Sequence, residues 1–386
     1  MKNIKIVVGS NFGDEGKGLM TDCFCHQAKQ RNENCIVVLH NGGAQRGHTV
    51  TTPEGIRHIF HHFGSGTFTG ADTYLSEDFM LNPMVFRREW EELEEKGITP
   101  KIYIDSTCKI TTPFDMILNQ IIEEARGDAR HGSCGMGIHE TILRDVCNYP
   151  CEMWFDSTNE AKRYYLREIK NYLEERLSDA GIKEIPTNWK KIVHSDLLIE
   201  NFISDLNFMS KNVSIRSERL IEYYDCAVFE NGQGLLLDQN NTAYYPHLTH
   251  SNTGIKNPMW IISNMQLKPD IEVCYVTRTY LTRHGAGRLD GECDKAEINP
   301  DMQDFTNVPN PHQGTLRYAR LDEKSLQSRI LKDFELSRKY GAKLSLAVTH
   351  GNEYDFAFSD KFKKDFDCIY YSDGEDRESV KIMQEL

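Results

Sequence analysis

Residues Ile4 to Gly18 read I-K-I-V-V-G-S-N-F-G-D-E-G-K-G: a short apolar strand, a glycine-rich loop, and the start of a helix expected near Leu19. A loop of this kind turns backbone N–H groups and a helix N-terminus toward one spot, which suits a phosphate. Three glycines, two acids and a lysine fall within residues 13–18. Such a loop is costly as a mere turn, because each glycine loses more conformational freedom on folding than any other residue. Asp14 adds a carboxylate, placed to hold Mg²⁺ or to take a proton. A standard P-loop follows its lysine with Ser or Thr, whose hydroxyl holds the metal. Here Gly18 follows Lys17, so the metal ligand must come from elsewhere, and Asp14 is the candidate.

The 386 residues are enough to bury a large core, as one big domain or two. Hydrophobic residues make up 39% and the mean hydropathy is −0.55, which fits a soluble chain. No apolar run approaches the ~20 residues of a bilayer span, so no membrane partner is expected. The N-terminus reads straight into a strand, without an export-signal pattern. A net charge of −13 argues against a general nucleic-acid surface. Any phosphate site must therefore be built locally, against the field of the whole molecule. The 11 cysteines include no C-x-x-C pair, so a zinc site is not expected. Their odd number, with no export signal, points to reduced thiols and a cytoplasmic setting.

Strand-like and helix-like runs alternate. Cys35 to Leu39, Lys101 to Ile104, Asp225 to Glu230, Glu272 to Thr277 and Leu344 to Thr349 read as buried strands. Residues 84–96, 114–126 and 157–181 read as helices, the first and last stopping at Gly97 and Gly181. This predicts an α/β fold, P-loop-like, with a mainly parallel central sheet and helices on both faces. Functional residues should then lie on loops at the carboxyl ends of the strands. No repeat or proline-rich linker divides the chain. The expectation is a single domain over 1–386, with the charged region at about 155–215 as a possible helical insertion.

Four further motifs accompany the first loop. They are Asn41-Gly42-Gly43 followed by Gly47-His48-Thr49; Phe229-Glu230-Asn231-Gly232-Gln233-Gly234 with Leu237-Asp238; Ser251-Asn252-Thr253; and Thr282-Arg283 with Gly285-Ala286-Gly287. The segment Ser372-Asp373-Gly374-Glu375-Asp376-Arg377 closes the series. In this order, from residue 9 to 377, the set resembles the adenylosuccinate synthetase family, and the resemblance covers essentially the whole chain. It implies a Mg²⁺- and nucleoside-triphosphate-dependent carbon–nitrogen ligase. In that reaction the 6-oxygen of a purine nucleoside monophosphate is phosphorylated, and the amine of L-aspartate then displaces the phosphate. A keto purine is a poor nucleophile until N1 loses its proton, which calls for a carboxylate beside N1.

The resemblance assigns roles residue by residue. Asp14 would be that base and a Mg²⁺ ligand, with the Gly47 carbonyl completing the metal shell. His48 would act as general acid on the phosphoryl group, and Lys17 would neutralise phosphate. Asn11, Gly13, Glu15, Gly16, Gly18 and Thr49 would line the phosphates. Gln233 and Thr253 would hold the purine nucleotide, and Ser133 and Cys134 stand where the family has two threonines near its phosphate. The donor base would meet Thr349, His350, Asn352, Ser372 and Gly374. The family also works as a homodimer in which one subunit lends an arginine; Arg144 is the nearest match here. The histidines His58, His61 and His62 are read as a polar loop or strand end rather than a metal site.

Two departures bear on substrates. The family's aspartate-binding segment is arginine-rich, whereas here it reads Asn310-Pro311-His312-Gln313-Gly314-Thr315-Leu316-Arg317, ahead of Leu321-Asp322. A dicarboxylate needs bidentate partners. Arg317, with Thr315 and Arg283, are the candidates, and Arg320 is a further one. At the donor segment Asn352 replaces an acid that would pair with guanine, which favours ATP over GTP. The short chain and its N-V-P-N-P-H-Q-G-T-L-R segment resemble a phage-type branch acting on dGMP, so (d)GMP is favoured over IMP with GTP. Two other classes compete. A regulatory GTP-binding protein would not need His48, Gln233 or the Ser251–Thr253 loop. A nucleotide kinase would give a stable phosphorylated nucleotide instead of an N6-succinyl adduct.

Overall fold

The computed structural model describes residues 2–144, 148–266, 268–302 and 314–385. The strands are β1 (Asn3–Gly9), β2 (Cys35–Leu39), β3 (His48–Thr51), β4 (Arg57–Phe60), β5 (Asp72–Leu75), β6 (Ile102–Ile104), β7 (Ser214–Ile215), β8 (Cys226–Gly234), β9 (Asp270–Arg278), β10 (Tyr280–Arg283), β11 (Glu292–Cys293), β12 (Arg317–Arg320), β13 (Lys343–Thr349), β14 (Cys368–Ser372) and β15 (Val380–Glu385). The helices are α1 (Lys17–Gln30), α2 (Pro83–Glu95), α3 (Pro113–Arg126), α4 (Ile138–Leu143), α5 (Cys151–Asp156), α6 (Asn159–Asp179), α7 (Thr187–Val193), α8 (Asp196–Asn212), α9 (Lys256–Ser263), α10 (Lys295–Ile298), α11 (Glu323–Arg338) and α12 (Asp360–Lys363).

A ten-stranded sheet runs β15-β14-β13-β9-β1-β8-β2-β5-β6-β7, parallel throughout except for the β14–β15 pair. Strands of such a sheet are covered on both faces, so they read as continuous apolar runs. Along β1, Val7 joins one core with Met20 and Phe24 of α1, Trp90 of α2, Ile117 of α3 and Leu166 of α6. Its neighbours Ile6 and Val8 point the other way, to Met259 of α9 and Ile330 of α11. The expected α/β architecture with helices on both faces is therefore present. Two smaller antiparallel sheets, β10-β12-β11 and β3-β4, project from it.

Element ends follow local chemistry. Asn82 caps α2 by accepting from the Val85 N–H at 3.2 Å, and Thr112 caps α3 in a reciprocal box with Asp115. Helix α1 starts at Lys17, two residues before the expected point, because Gly16 turns left-handed at φ 85° and ends the loop there. Strand β8 runs on through Gly234 where a loop was expected after Glu230. The charged region after residue 150 is helical, as α5 to α8, with α6 packed on α3 and α8 on α2. No helix among the described residues is long and apolar enough to cross a membrane.

His58, His61 and His62 surround the buried carboxylate of Glu89 on α2. Glu89 accepts from the backbone N–H of His61 and of His62, each at 2.7 Å, and the ring nitrogens of His58 and His62 stand 3.7 and 3.6 Å away. Among the described residues no group of three or more His, Cys, Asp or Glu side chains is arranged to hold a metal ion. Burial pushes the Glu89 carboxyl up, but the pull of the His58, His62 and His61 side chains outweighs it and holds the pKa at about 2. A depressed carboxylate stabilises the fold above its unfolded pKa and loses that contribution as pH falls through the folded value. Wild type should therefore lose on the order of 2–3 kcal/mol between pH 4.5 and 2 from this group. Urea midpoints of Glu89→Gln against pH should show a shallower acid limb in that window.

Candidate active site

The motif loops converge at the carboxyl ends of β1, β8, β2 and β9, and short side-chain amides tie them together. Asn41 Nδ2 donates to the carbonyls of Gly232 and Asn252, each at 3.0 Å, and Asn41 Oδ1 accepts from the Gly232 N–H at 2.8 Å. Asn231 Nδ2 donates to the Thr253 and Gly254 carbonyls. The Thr253 hydroxyl donates to the Gly234 carbonyl at 2.9 Å, and the Asp238 carboxylate accepts from the Thr253 N–H at 2.7 Å. The first loop joins through the Leu236 N–H, which donates to the Asn11 carbonyl at 2.8 Å. Gly234 allows this approach: a Cβ there would lie 2.4 Å from the Asn11 carbonyl oxygen.

Asp14 sits in left-handed backbone (φ 53°), a strained conformation for a non-glycine residue that clusters at functional sites. Its side chain is about a third exposed, and Oδ2 lies 3.3 Å from Nε2 of His284. Arg278 Nε donates to the Asp14 carbonyl at 2.5 Å. Burial raises the carboxyl pKa, but the His284 hydrogen bond and the charges of His284, Lys17 and Arg278 overcome it, leaving about 2. Asp14 is thus ionised, accessible and ringed by cations.

Glu15 behaves differently. It is buried, it accepts from the Asn11 N–H at 2.6 Å, and burial lifts it to about 7 against the pull of Lys17 and Asn11. Its second oxygen, Oε2, has no hydrogen-bond partner among the described residues. Lys17 is buried, and burial lowers its pKa against the attraction of Glu15 and Asp14. Gly13 and Gly16 are left-handed at 107° and 85°, and no side chain caps the first turn of α1. Gly18 packs on His48 and the Thr49 carbonyl, so the first and second loops touch.

His48, at the start of β3, is buried between two residues the sequence reading did not assign. Its Nδ1 lies 2.5 Å from Glu230 Oε1 and 2.8 Å from Arg46 Nη2. Arg46 and Glu230 themselves pair at 3.0 Å with both side chains fully buried. The Ser65 hydroxyl and N–H also donate to Glu230. Burial, then Arg46, lowers the His48 pKa to about 4, so the ring is a neutral imidazole near neutral pH. A neutral ring serves as a donor only from the nitrogen carrying its proton. The Glu230 carboxylate can only accept, so Nδ1 carries the proton and Nε2 of the neutral ring is left as an acceptor. Burial raises the Glu230 carboxyl, but Arg46, His48 and Ser65 hold it at about 2.

The remaining expected residues divide between this cluster and its walls. Thr349 donates from its hydroxyl to the Glu15 carbonyl at 2.9 Å and packs on Gly16, which brings the donor segment to the first loop. His350 is left-handed at φ 55° and pairs with Glu353 at 3.1 Å, while Asn352 is exposed. Ser372 is buried, its hydroxyl donating to the Gly374 carbonyl at 3.0 Å. In the same segment Arg377 reaches Asp22 of α1 at 2.9 Å. The Ser133 hydroxyl donates to Asn119 at 2.8 Å, and burial raises the neighbouring Cys134 thiol. Gln233 is left-handed at φ 66° beside Gly13, and Gly47 is exposed.

The candidate arginines are all engaged. Arg283 is buried, stacks 4.6 Å over the Phe12 ring and donates to the Arg288 and His247 carbonyls. Arg317 forks onto Glu292, Thr315 and Arg320 are exposed, and Arg320 pairs with Glu297 at 2.9 Å. Arg144 is buried with Asp115 at 2.9 Å, which removes it from any surface that a second subunit could use. Asn310, Pro311, His312 and Gln313 lie outside the described residues. Arg278 and Arg329 escaped the sequence reading. Arg329 Nε donates to the Ser10 carbonyl at 2.8 Å and its Nη2 to Asn11 Oδ1, so two guanidiniums brace the first loop. His284 escaped too, as the variable residue of its motif.

The donor set fits Mg²⁺, which takes one or two carboxylates and completes its octahedron with phosphate oxygens and water. Asp14 is an ionised, part-exposed carboxylate, and Gly47 offers an exposed backbone carbonyl.

Removing Glu230 alone strands the Arg46 charge in the interior. Glu230→Leu should cost about 3–5 kcal/mol of stability by urea unfolding, and Arg46→Met/Glu230→Leu should regain most of it. If the pair also orients His48, turnover stays low in the double variant although its fold has recovered.

Known proteins match the chain over most of its length. The family profile described as adenylosuccinate synthetase matches residues 6–310. An adenylosuccinate synthetase of Lactobacillus acidophilus is 29% identical over 289 residues, covering 73% of this chain and 63% of that protein. One from Halothermothrix orenii is 27% identical over 317 residues, covering 78% of this chain and 66% of that protein. The matches thus span somewhat less than two thirds of these relatives' length. Two solved structures share the fold over 99% of the chain: a fully ligated adenylosuccinate synthetase from Plasmodium falciparum, at 15% identity and TM-score 0.71, and a cyanophage S-2L succinoaminodeoxyadenylate synthetase bound to dGMP and dATP as an energy donor, at 14% and 0.62. They cover 100% and 95% of those chains. With most of its length matched by the family profile, the chain belongs to the adenylosuccinate synthetase family.

Proposed function

We propose that this chain is a Mg²⁺- and nucleoside-triphosphate-dependent ligase that joins L-aspartate to C6 of a 6-oxopurine nucleotide through a 6-phosphoryl intermediate. The observation that carries this reading is Asp14: an ionised carboxylate held among glycines, beside a buried lysine, in strained backbone. Its role would be to take the N1 proton, so that the 6-oxygen becomes nucleophilic. A carboxylate at about pKa 2 is a weak base. The purine N1–H would take the place of His284 as the donor to this carboxylate. His48 would act as general acid on the transferring phosphoryl group from Nε2 once its ring takes up a proton, with Glu230 at Nδ1 stabilising the imidazolium, and Lys17 would sit against the phosphates. Mg²⁺, held by Asp14 and the Gly47 carbonyl, would supply charge to the phosphate oxygens.

The purine substrate favoured by the relatives is IMP, since the curated proteins that match are adenylosuccinate synthetases. This replaces the (d)GMP preference expected from the short chain. A dGMP reading keeps one specific support, the shared fold with the dGMP-bound cyanophage enzyme. On the donor side, neutral and exposed Asn352 supports ATP. The adjacent acid Glu353 is occupied by Tyr280 and His350. Arg317 would bind a carboxylate of aspartate. The assembly would be a homodimer, as in the family.

The test is to incubate the protein with L-aspartate and Mg²⁺, crossing IMP, GMP and dGMP against ATP and GTP, and to read products by mass. An N6-succinyl adduct of IMP is the expected result, and an adduct from dGMP alone would move the assignment to the second reading. A stable phosphorylated nucleotide with no aspartate incorporated would overturn ligase chemistry. Asp14→Asn should abolish product, and His48→Ala should lower turnover by roughly 10²–10³, the cost of one preorganised donor.

A further inference from the structure

The guanidinium proposed for the substrate carboxylate already holds a carboxylate from the chain itself. Arg317 Nε donates to Glu292 Oε1 at 2.7 Å, and its Nη2 makes a still shorter contact with Oε2. This is the two-pronged geometry in which arginine binds a free carboxylate. The third nitrogen, Nη1, is anchored on the carbonyls of Gly287 at 2.8 Å and Gly285 at 3.2 Å. Those glycines belong to the turn that follows His284, the residue facing Asp14. The fork is therefore fixed to the wall of the reaction site, while its outer prongs face Glu292.

Both partners remain within reach of solvent, with side-chain exposures of 26% for Arg317 and 45% for Glu292. Glu292 lies on β11, a strand of two residues that follows left-handed Gly291. Exchange of one carboxylate for another at such a pair would leave the guanidinium paired and turn Glu292, already half exposed, out to solvent. Arg283 lies near enough to lower the Glu292 carboxyl further, after the hydrogen bond and charge of Arg317. Two guanidiniums thus stand near this one acid.

We infer that Glu292 is an internal competitor for the substrate carboxylate: it occupies the Arg317 fork until L-aspartate displaces it, and so sets the apparent affinity for aspartate. The inference rests on the assignment of Arg317 to aspartate made above. A tethered carboxylate competes at high effective concentration, so its loss should tighten substrate binding.

Steady-state KM values for aspartate and for the purine nucleotide in Glu292→Gln and Arg317→Ala test it. Glu292→Gln should lower KM for aspartate about two- to fivefold, the span of an exposed ion pair, with KM for the purine nucleotide unmoved. Arg317→Ala should raise KM for aspartate roughly tenfold or more. A higher or unchanged aspartate KM in Glu292→Gln would overturn the inference, since a residue that only props Arg317 in place gives that sign. An unchanged aspartate KM in Arg317→Ala would instead overturn the assignment of Arg317 itself.

Discussion

Glu230 lies in the middle of β8, the strand that pairs with both β1 and β2, and it has no access to water. An isolated carboxylate there would be prohibitively costly, so the chain surrounds it with donors: the Arg46 guanidinium, the His48 ring and the hydroxyl and N–H of Ser65. Those donors come from the loop after β2 and from the segment after β4. Satisfying one buried charge therefore fixes where the second motif loop can run, and with it where His48 stands relative to Lys17 and Asp14. The catalytic geometry follows from an electrostatic demand in the core.

The same demand explains how a chain with net charge −13 builds an anion site. Lys17, Arg46, Arg278, Arg329 and His284 gather around the first loop, each balanced by a carboxylate or by backbone carbonyls. The cations are preorganised in a dry setting, where hydrogen bonds and charge act more strongly than in water. Acidic residues elsewhere on the surface then matter little to the phosphates.

Much of this was legible in the sequence because it is local. The strand–glycine loop–helix run showed the first loop, the apolar runs showed the parallel strands, and the motif order pointed to the family. What stayed hidden depends on non-local pairing. Glu230 reads as one more residue of a strand until β8 is seen between β1 and β2. His284 is the variable position of its motif, and only the fold of the β10 turn aims it at Asp14. Arg283 and Arg317 illustrate the limit for charge: the family resemblance marks both as carboxylate ligands, yet one spends its guanidinium over Phe12 and the other on Glu292. A side chain's partner is a property of the folded neighbourhood and not of its own identity.

The clasps made by Asn41 and Asn231 use carboxamides alone, with no ionic component in either. Amides neither titrate nor draw a counterion cloud. These two clasps should therefore hold the same lengths in dilute buffer and in brine, whatever the charged contacts around them do.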